Sequence, residues 1–299
     1  MHYTDIETRV KNLLLCYMVL LLQNGQQKGV VIMTIKSFKR YEIKYFVTIQ
    51  QYQLLKAELE KRMVLDENCA ETGSYMIYNL YFDTDDDAVI RHSLEKPYYK
   101  EKLRLRSYTI PKSGDDLIFL ELKKKIGGIV AKRRATIPYS EALNFVYTGK
   151  VPETDNYQDR QVLNEIKDFL DRCKVKPTVF ISYERNAYFD KNDSEFRVSF
   201  DKQILTRRTQ VNLIDGNFGT ELIGNDCYLM EIKCAEQIPM WLCRIMSKMK
   251  IYSTGFSKYG TEYKNYFRKK EQLLSHDKCL INNPEALLIQ GLTSINTAI

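Results

Sequence analysis

The 299-residue sequence contains few of the side chains on which common active sites are built. Its three histidines, His2, His92 and His276, lie far apart in the sequence, which argues against a Ser-His-Asp triad. Its seven cysteines are odd in number and include no C-x-x-C pair, which argues against a disulfide framework or a zinc site and fits the cytoplasm. No G-x-x-x-x-G-K-S/T motif occurs, so a P-loop is excluded and any phosphate must be bound by side chains.

Glycine and proline are also scarce, with 13 and 7 residues, and no linker suggests a division between domains. We therefore expect one catalytic domain over residues 33–272, followed by a weakly patterned tail over residues 273–299. The remaining segment, residues 1–32, we expect to be translated upstream sequence or a leader.

The interpretation of the first 32 residues depends on two short segments. Lys28-Gly29-Val30 can be encoded by a bacterial ribosome-binding sequence, and it lies a short distance before Met33. This predicts that Met33 is the true start. The apolar run at 13–22 is shorter than the ~20 residues that span a bilayer, and no small-residue cleavage site follows it. An amphipathic or membrane-associated leader is the alternative.

From residue 37 onward, apolar residues alternate with charged ones, which is typical of β-strands. We predict eight strands, at residues 38–48, 75–84, 100–110, 116–126, 129–138, 177–190, 195–206 and 227–234. Helical periodicity predicts helices at residues 50–66, 85–95, 140–148, 158–173, 238–250 and 258–272. Eight strands can close a barrel, so the predicted fold is α+β: an eight-stranded antiparallel β-barrel with helices packed outside.

A Gly-Gly pair at residues 127–128 predicts a tight hairpin, because two glycines supply the positive φ angles of such turns. Counting outward from this turn pairs Lys123 with Lys132 and Glu121 with Arg134 on one face. Like-charged lysines directly opposite each other are destabilising unless an anion lies between them. The register therefore indicates an anionic ligand.

The same arrangement of charge recurs on other predicted strands. Basic residues with an occasional carboxylate share one face, opposite a face of apolar residues, in four further segments: Arg40, Glu42 and Lys44; Lys102, Arg104 and Arg106; Arg197, Ser199 and Asp201; and Glu231 and Lys233. An ordinary one-sided sheet with a solvated basic face is one interpretation. The other is a basic lumen that holds several phosphates, with the apolar faces outward under the predicted helices. The net charge of +7 favours anionic partners without identifying them.

An ordered series of short motifs resembles a known family. The series comprises Glu42-x-Lys44-Tyr45, Tyr81-Phe82-Asp83, Leu103-Arg104-Leu105-Arg106, Leu120-Glu121-x-Lys123, Tyr183-x-Arg185, Arg197-x-Ser199-x-Asp201, Glu231-x-Lys233 and Phe256-Ser257-Lys258-Tyr259. Over roughly residues 37–268 the chain resembles the VTC polyphosphate polymerase domain, a member of the triphosphate tunnel metalloenzyme superfamily, which is CYTH-like. No single motif of the series is specific, but their order is.

The resemblance implies a tunnel that transfers the γ-phosphoryl group of ATP to a growing polyphosphate chain. It implies that Glu231 binds Mn²⁺ or Mg²⁺ and that phosphates are bound by Lys44, Arg104, Arg106, Lys123, Arg185 and Arg197. Lys233 and Lys258 would be further tunnel or mouth residues, and these two lysines and Glu42 of the first motif are candidates for binding substrate. The hairpin register adds Lys132 and Arg134 as substrate-binding candidates. The expected partners are ATP and polyphosphate and not nucleic acid, with a separate membrane partner possible.

Two rival functions stay open from the sequence. A CYTH-type triphosphatase, acting on inorganic, thiamine or RNA 5′ triphosphate, carries a first-strand E-x-E-x-K motif. Here Arg40 replaces the first glutamate, which favours the polymerase. A non-catalytic polyphosphate-binding module is the other rival, but it has no need for Glu231 among phosphate ligands. Glu121 and Asp201 could serve the site or only pair with arginines.

Overall fold

The segments that alternate with period two form one antiparallel sheet. The structure is a computed structural model that describes residues 41–281 except residues 128 and 194, with the backbone alone at 273–281. The eight predicted strands are present to within three residues, and three short strands were missed. In chain order they are β1 (Tyr41–Thr48), β2 (Met63–Leu65), β3 (Tyr75–Asp83), β4 (Tyr99–Ser107), β5 (Leu117–Ile126), β6 (Ile129–Pro138), β7 (Lys176–Asp190), β8 (Arg197–Arg207), β9 (Thr220–Glu221), β10 (Cys227–Cys234) and β11 (Ser253–Thr254).

All six predicted helices are present. They are α1 (Ile49–Arg62), α2 (Ala88–Leu94), α3 (Tyr139–Thr148), α4 (Tyr157–Arg172), α5 (Met240–Lys248) and α6 (Lys258–Ile281). Helix α1 begins at a capping box in which Thr48 accepts from the Gln51 amide and the Gln51 side chain accepts from the Thr48 amide. It ends at residue 62, before the predicted 66, because the next three residues form β2 and pair with β7. Helix α6 continues past the predicted residue 272.

Several predictions lie outside the described residues. These are the leader over residues 1–32, the start at Met33, the role of Arg40, and the tail beyond residue 281. The described residues belong to one compact unit. No helix among them is long and apolar enough to cross a membrane.

The prediction of a closed eight-stranded barrel was wrong, because the sheet is open and has eleven strands. Its order is β11-β1-β10-β8-β7-β3-β4-β5-β6, with β2 beside β7 and β9 beside β8. The outer edge of β1 cannot pair with β6, since the Lys44–Tyr45 segment there already pairs with Ser253–Thr254 of β11. The sheet nevertheless curls strongly. The Nζ atom of Lys123 on β5 lies 3.8 Å from a carboxylate oxygen of Glu42 on β1, across the concave side.

The predicted hairpin register is confirmed. Lys123 lies opposite Lys132 and Glu121 opposite Arg134. The alternate residues of β5, Ile118, Leu120 and Leu122, are fully buried on the other face. Alternation along the strand therefore identified both faces correctly.

The outer, convex face of the sheet carries the core, as predicted. Helices α3 and α4 pack on one half of it, where Phe145 and Ile166 meet sheet residues that include Leu105 and Leu120. Helices α1 and α5 pack on the other half, where Leu59 and Leu242 belong to a second cluster. Burial of these helices fixes the charged alternate positions on the concave face.

The concave face is not polar throughout, which corrects the prediction of a wholly basic lumen. Half of it is apolar and is formed by residues of the central strands such as Val179, Ile181, Ile204 and Leu229. Ile90 of α2 and Tyr259 of α6 cover this half. The two helices therefore cover the apolar half of the concave face and leave a cavity in front of its charged half.

Candidate active site

A cavity of about 800 Å³ occupies the charged half of the concave face. Among the described residues, its walls contain twelve basic side chains and two acidic ones. The basic residues are Lys44, Lys96, Lys100, Lys102, Arg104, Arg106, Lys123, Lys125, Arg185, Lys233, Lys258 and Lys264, and the acidic ones are Glu42 and Glu231. An excess of ten cations in one cavity is self-repelling without an anion, so the cavity is suited to a ligand with several negative charges.

Glu231 on β10 lies among four cations at the base of this cavity. One carboxylate oxygen lies 3.1 Å from Nζ of Lys258 and 3.7 Å from Nζ of Lys44. The other lies 3.3 Å from the Arg185 guanidinium and 4.0 Å from Nζ of Lys233. Burial would raise the pKa of Glu231, but these cations hold it well below its usual range, so the side chain is ionised.

Asp201 on β8 also contacts two of the four cations that surround Glu231. It is fully buried, and its carboxylate accepts two hydrogen bonds from Arg185, at 2.6 and 2.8 Å, and one from Lys258. Burial opposes ionisation, but Arg185 and then Lys258 keep the pKa of Asp201 low. Asp201 therefore holds Arg185 and Lys258 against the carboxylate of Glu231.

Glu121 on β5 is the centre of a second ion-pair cluster. Its buried carboxylate contacts Arg104 at 2.7 Å and Arg134 at 2.7 Å through their Nε atoms, and Lys132 at 3.5 Å. The Arg106 Nε atom lies 4.0 Å away. Burial would raise the pKa of Glu121, but Arg104 and Arg106 lower it strongly. Arg104 and Arg106 line the cavity, whereas Lys132 and Arg134 contact Glu121 and do not line it.

Arg197 lies on the same face but away from the cavity walls. Its guanidinium donates to Asp66 at 2.9 Å and to the Tyr75 hydroxyl at 3.0 Å, and it stacks over Phe189 at 4.7 Å. The guanidinium of Arg197 therefore contacts other side chains of the protein and does not face the cavity. Of the twelve residues predicted for the site, the structure brings nine into the cavity and leaves Arg197, Lys132 and Arg134 outside its walls.

The family described as the VTC domain matches residues 39–267. The chain belongs to the VTC domain family. The match supports an enzyme related to polyphosphate that acts on triphosphates, and the family implies a divalent cation. No curated protein matches the sequence.

Solved structures show distant likenesses. A Bacillus halodurans protein described as a candidate adenylate cyclase is 16% identical, with a TM-score of 0.45 over 73% of this chain and 95% of that one. A Hippeastrum protein described as a candidate adenylyl cyclase with a dominant triphosphatase activity is 18% identical, with a TM-score of 0.46 over 75% of this chain and 95% of that one. Both TM-scores are below 0.5, so the family membership depends on the domain match alone.

The carboxylates of this VTC domain fit a divalent cation that takes most of its ligands from substrate and water. Among the side chains described up to residue 272, no group of three or more His, Cys, Asp or Glu could hold a metal ion by itself. Glu42 and Glu231 both line the cavity and share the Lys44 ammonium, at 3.2 and 3.7 Å. Lys123 holds the pKa of Glu42 at about 2 against the effect of burial. Mg²⁺ is commonly bound by one or two such carboxylates together with phosphates.

Sequence reasoning missed several residues of the site. Tyr81 and Tyr183 belong to the family motifs but were given no role, and their hydroxyls accept hydrogen bonds from Arg104, at 3.0 Å, and Arg106, at 3.1 Å. Strand β3 is apolar on both faces, so its alternation gives no signal for Tyr81. Five further lysines that line the cavity lie outside the family motifs, namely Lys96, Lys100, Lys102, Lys125 and Lys264.

Two lysines of the cavity have strongly lowered pKa values. Burial, and then Lys100 and Lys123, lower the pKa of Lys102 to about 7. Burial likewise lowers the pKa of Lys233 to about 7, although Glu231 opposes this shift. These ammonium groups are unfavourable in the empty cavity and become favourable when a polyanion binds.

We predict that the free energy of unfolding of the empty protein rises as the pH increases from about 7 toward 10. The pKa of Lys102 is about 7 in the folded protein and returns to its ordinary value of 10.5 on unfolding, so over this range the unfolded chain binds more protons. The contribution of Lys102 to the free energy of unfolding must then increase with pH. Tripolyphosphate should raise the melting temperature most near pH 7, because it binds the protonated cavity.

Differential scanning fluorimetry at pH 7 and pH 9, with and without tripolyphosphate, measures both effects. Lys102→Gln should reduce the pH dependence, and the exposed Lys61→Gln should leave it unchanged. A tripolyphosphate shift that is equal at both pH values would contradict the prediction.

Proposed function

We propose that this VTC domain is an ATP-dependent polyphosphate polymerase. The observation that supports this most strongly is the composition of the cavity: twelve cations converge on it, while its two glutamates are ionised and held by lysines and arginines. Such a cavity can bind two phosphate groups of different molecules end to end.

The state of the carboxylates favours a phosphate acceptor over water. A water molecule that attacks phosphorus benefits from a general base with a pKa near the working pH. Glu42, Glu231, Asp201 and Glu121 all have lowered pKa values and are therefore weak bases. The terminal oxygen of a polyphosphate chain is already anionic and needs no base. The carboxylates thus favour polymerisation over hydrolysis, whereas Lys102 and Lys233, whose pKa values are about 7, are groups of the cavity wall that could serve water as a base.

In the proposed reaction, a terminal oxygen of the chain forms a bond to the γ-phosphorus of ATP. The bond from that phosphorus to the oxygen bridging to the β-phosphate breaks, and ADP leaves with the electron pair. Arg104, Arg106 and Arg185 are fixed by carboxylates and tyrosines, so they present positive charge to the phosphoryl oxygens without reorganisation. Lys44, Lys123 and Lys258 extend this positive surface. A divalent cation held by Glu42 and Glu231 would neutralise phosphate charge.

The decisive experiment is incubation of the purified protein with ATP and Mn²⁺ or Mg²⁺, with the products resolved on a polyphosphate gel. A ladder of growing chains, with ADP in equal amount to the phosphate incorporated, is the expected result. Release of inorganic phosphate without a ladder would assign the triphosphatase. Binding of polyphosphate with no consumption of ATP would assign the non-catalytic module.

We predict that Arg104→Ala and Arg106→Ala each weaken tripolyphosphate binding by about tenfold or more, because each removes a charge-assisted contact. The fold should survive, since Glu121 keeps at least two of its other basic partners in either variant. Isothermal titration calorimetry measures the affinity. Arg133→Ala is the matched control, because Arg133 lies on the opposite face of the sheet and contacts Glu165 at 2.7 Å. Equal affinities in all three variants would refute the assignment of the cavity.

A further inference from the structure

Lys102 is the central lysine of the cavity wall and has no counter-ion among the described residues. It lies opposite Lys123 on β5, which in turn lies opposite Lys132 on β6, so three lysines form a row across three strands. Lys123 has Glu42 at 3.8 Å and Lys132 has Glu121 at 3.5 Å. Among the side chains that the structure describes, those of residues 41–272 without 128 and 194, no carboxylate forms an ion pair with the Lys102 Nζ atom.

The groups that face Lys102 are nearly all positive. They are Lys100 on its own strand, Lys123 on β5 and Lys44 on β1, while the ring centroid of Tyr259 on α6 lies 5.7 Å from Nζ. The charge of Asp83 favours the ammonium form, but that carboxylate is occupied by the Tyr259 hydroxyl. Burial together with the lysines brings the pKa of Lys102 to about 7, so much of it is a neutral amine at physiological pH. A lysine surrounded by cations in this way is an activated nucleophile.

We propose that Lys102 is a site of covalent acylation by acyl phosphates, the mixed anhydrides of a carboxylic acid and phosphoric acid. The cavity suits this class of reagent because its cations can bind the phosphate end while the carbonyl carbon lies near a neutral amine. The inference needs only a phosphate-binding cavity, so it does not depend on whether the enzyme polymerises or hydrolyses.

The chemistry of the step is balanced without a further reactant. The Nζ lone pair attacks the carbonyl carbon and forms a C–N bond. The bond from that carbon to the bridging oxygen breaks, inorganic phosphate leaves with the electron pair, and Nζ loses a proton to solvent. The product amide is neutral. Acylation therefore prevents Lys102 from becoming the ammonium group that a bound phosphate chain favours, and it adds bulk to the wall, so acylation and binding of a phosphate chain should exclude each other.

The test treats the full chain with acetyl phosphate at pH 7.5 and follows each lysine by mass spectrometry. Lys102 should be acetylated at least about tenfold faster than Lys61, whose side chain is 63% exposed, because much of Lys102 is neutral at this pH. The rate at Lys102 should level off above about pH 8, where its amine is fully deprotonated. Tripolyphosphate should suppress the reaction at Lys102 and not at Lys61.

An acyl donor without a phosphate group tests whether phosphate binding directs acylation to Lys102 or whether the reactivity of its amine is sufficient. With p-nitrophenyl acetate the preference for Lys102 over Lys61 should be smaller than with acetyl phosphate. Treatment with acetyl phosphate should also lower the affinity of the unchanged protein for tripolyphosphate. The same treatment should leave the affinity of Lys102→Arg unchanged, because this variant cannot be acylated at position 102. Equal rates at Lys102 and Lys61, no protection by tripolyphosphate, or the same preference with both donors would each overturn the proposal.

Discussion

Glu231→Gln should lower metal-dependent turnover by at least about 100-fold while leaving the protein folded. The substitution keeps the shape of the side chain and removes its charge. Three of the four surrounding cations retain another carboxylate, because Arg185 and Lys258 contact Asp201 and Lys44 contacts Glu42. Folding should therefore tolerate the change. Triphosphate affinity measured without metal should stay level or increase, since the cavity loses a repulsive carboxylate.

The measurements are the rate of ATP consumption against Mn²⁺ concentration and the affinity for tripolyphosphate in EDTA. Glu121→Gln is the matched control, because it removes an equally surrounded carboxylate that does not line the cavity. It should weaken binding by disturbing Arg104 and Arg106 but retain a response to Mn²⁺. Near-normal Mn²⁺-dependent turnover in Glu231→Gln would show that Glu231 is not the ligand, and Glu42 would be tested next.

Asp201→Asn should cause the largest loss of stability of any single change at the site, about 3 kcal/mol. The carboxylate is fully buried and is the closest partner of Arg185 and Lys258. Without its charge, Glu231 must compensate both cations, and its distances to them are longer, 3.3 and 3.1 Å. Removing one member of a buried ion pair leaves an uncompensated charge, which costs more than the pair contributes.

Urea denaturation at pH 7 measures this loss. Because the pKa of Asp201 is lowered in the fold, its contribution is present above its unfolded pKa and is lost as the pH falls through the lower, folded value. The difference between the two proteins should therefore shrink in strong acid. Tripolyphosphate should restore part of the stability of the variant, since it supplies the missing negative charge. An unchanged denaturation midpoint would mean that solvent compensates Arg185 and Lys258.

Local pattern alone determined a large part of this fold. Strict alternation in Leu120-Glu121-Leu122-Lys123 specified which side chains face the helices, and the Gly-Gly turn specified the register to the residue. Both signals are local, because a strand has a period of two and a two-residue turn has few conformations. The ordered motifs were enough to identify the family, which the domain match over residues 39–267 confirmed.

Only the tertiary structure decided which of the charged side chains are available to a ligand. Arg197 and Lys102 look alike in sequence, on the charged faces of their strands, but Arg197 meets Asp66 from a distant turn and Lys102 is surrounded mainly by lysines. The covering of the apolar half of the concave face likewise depends on where α2 and α6 pack, and the failure of the sheet to close depends on the pairing of β11 with β1. Periodicity assigns a residue to a face of a strand. It does not specify which distant segment covers that residue, because the ion pairs and packing contacts involved are between residues that lie far apart in the sequence.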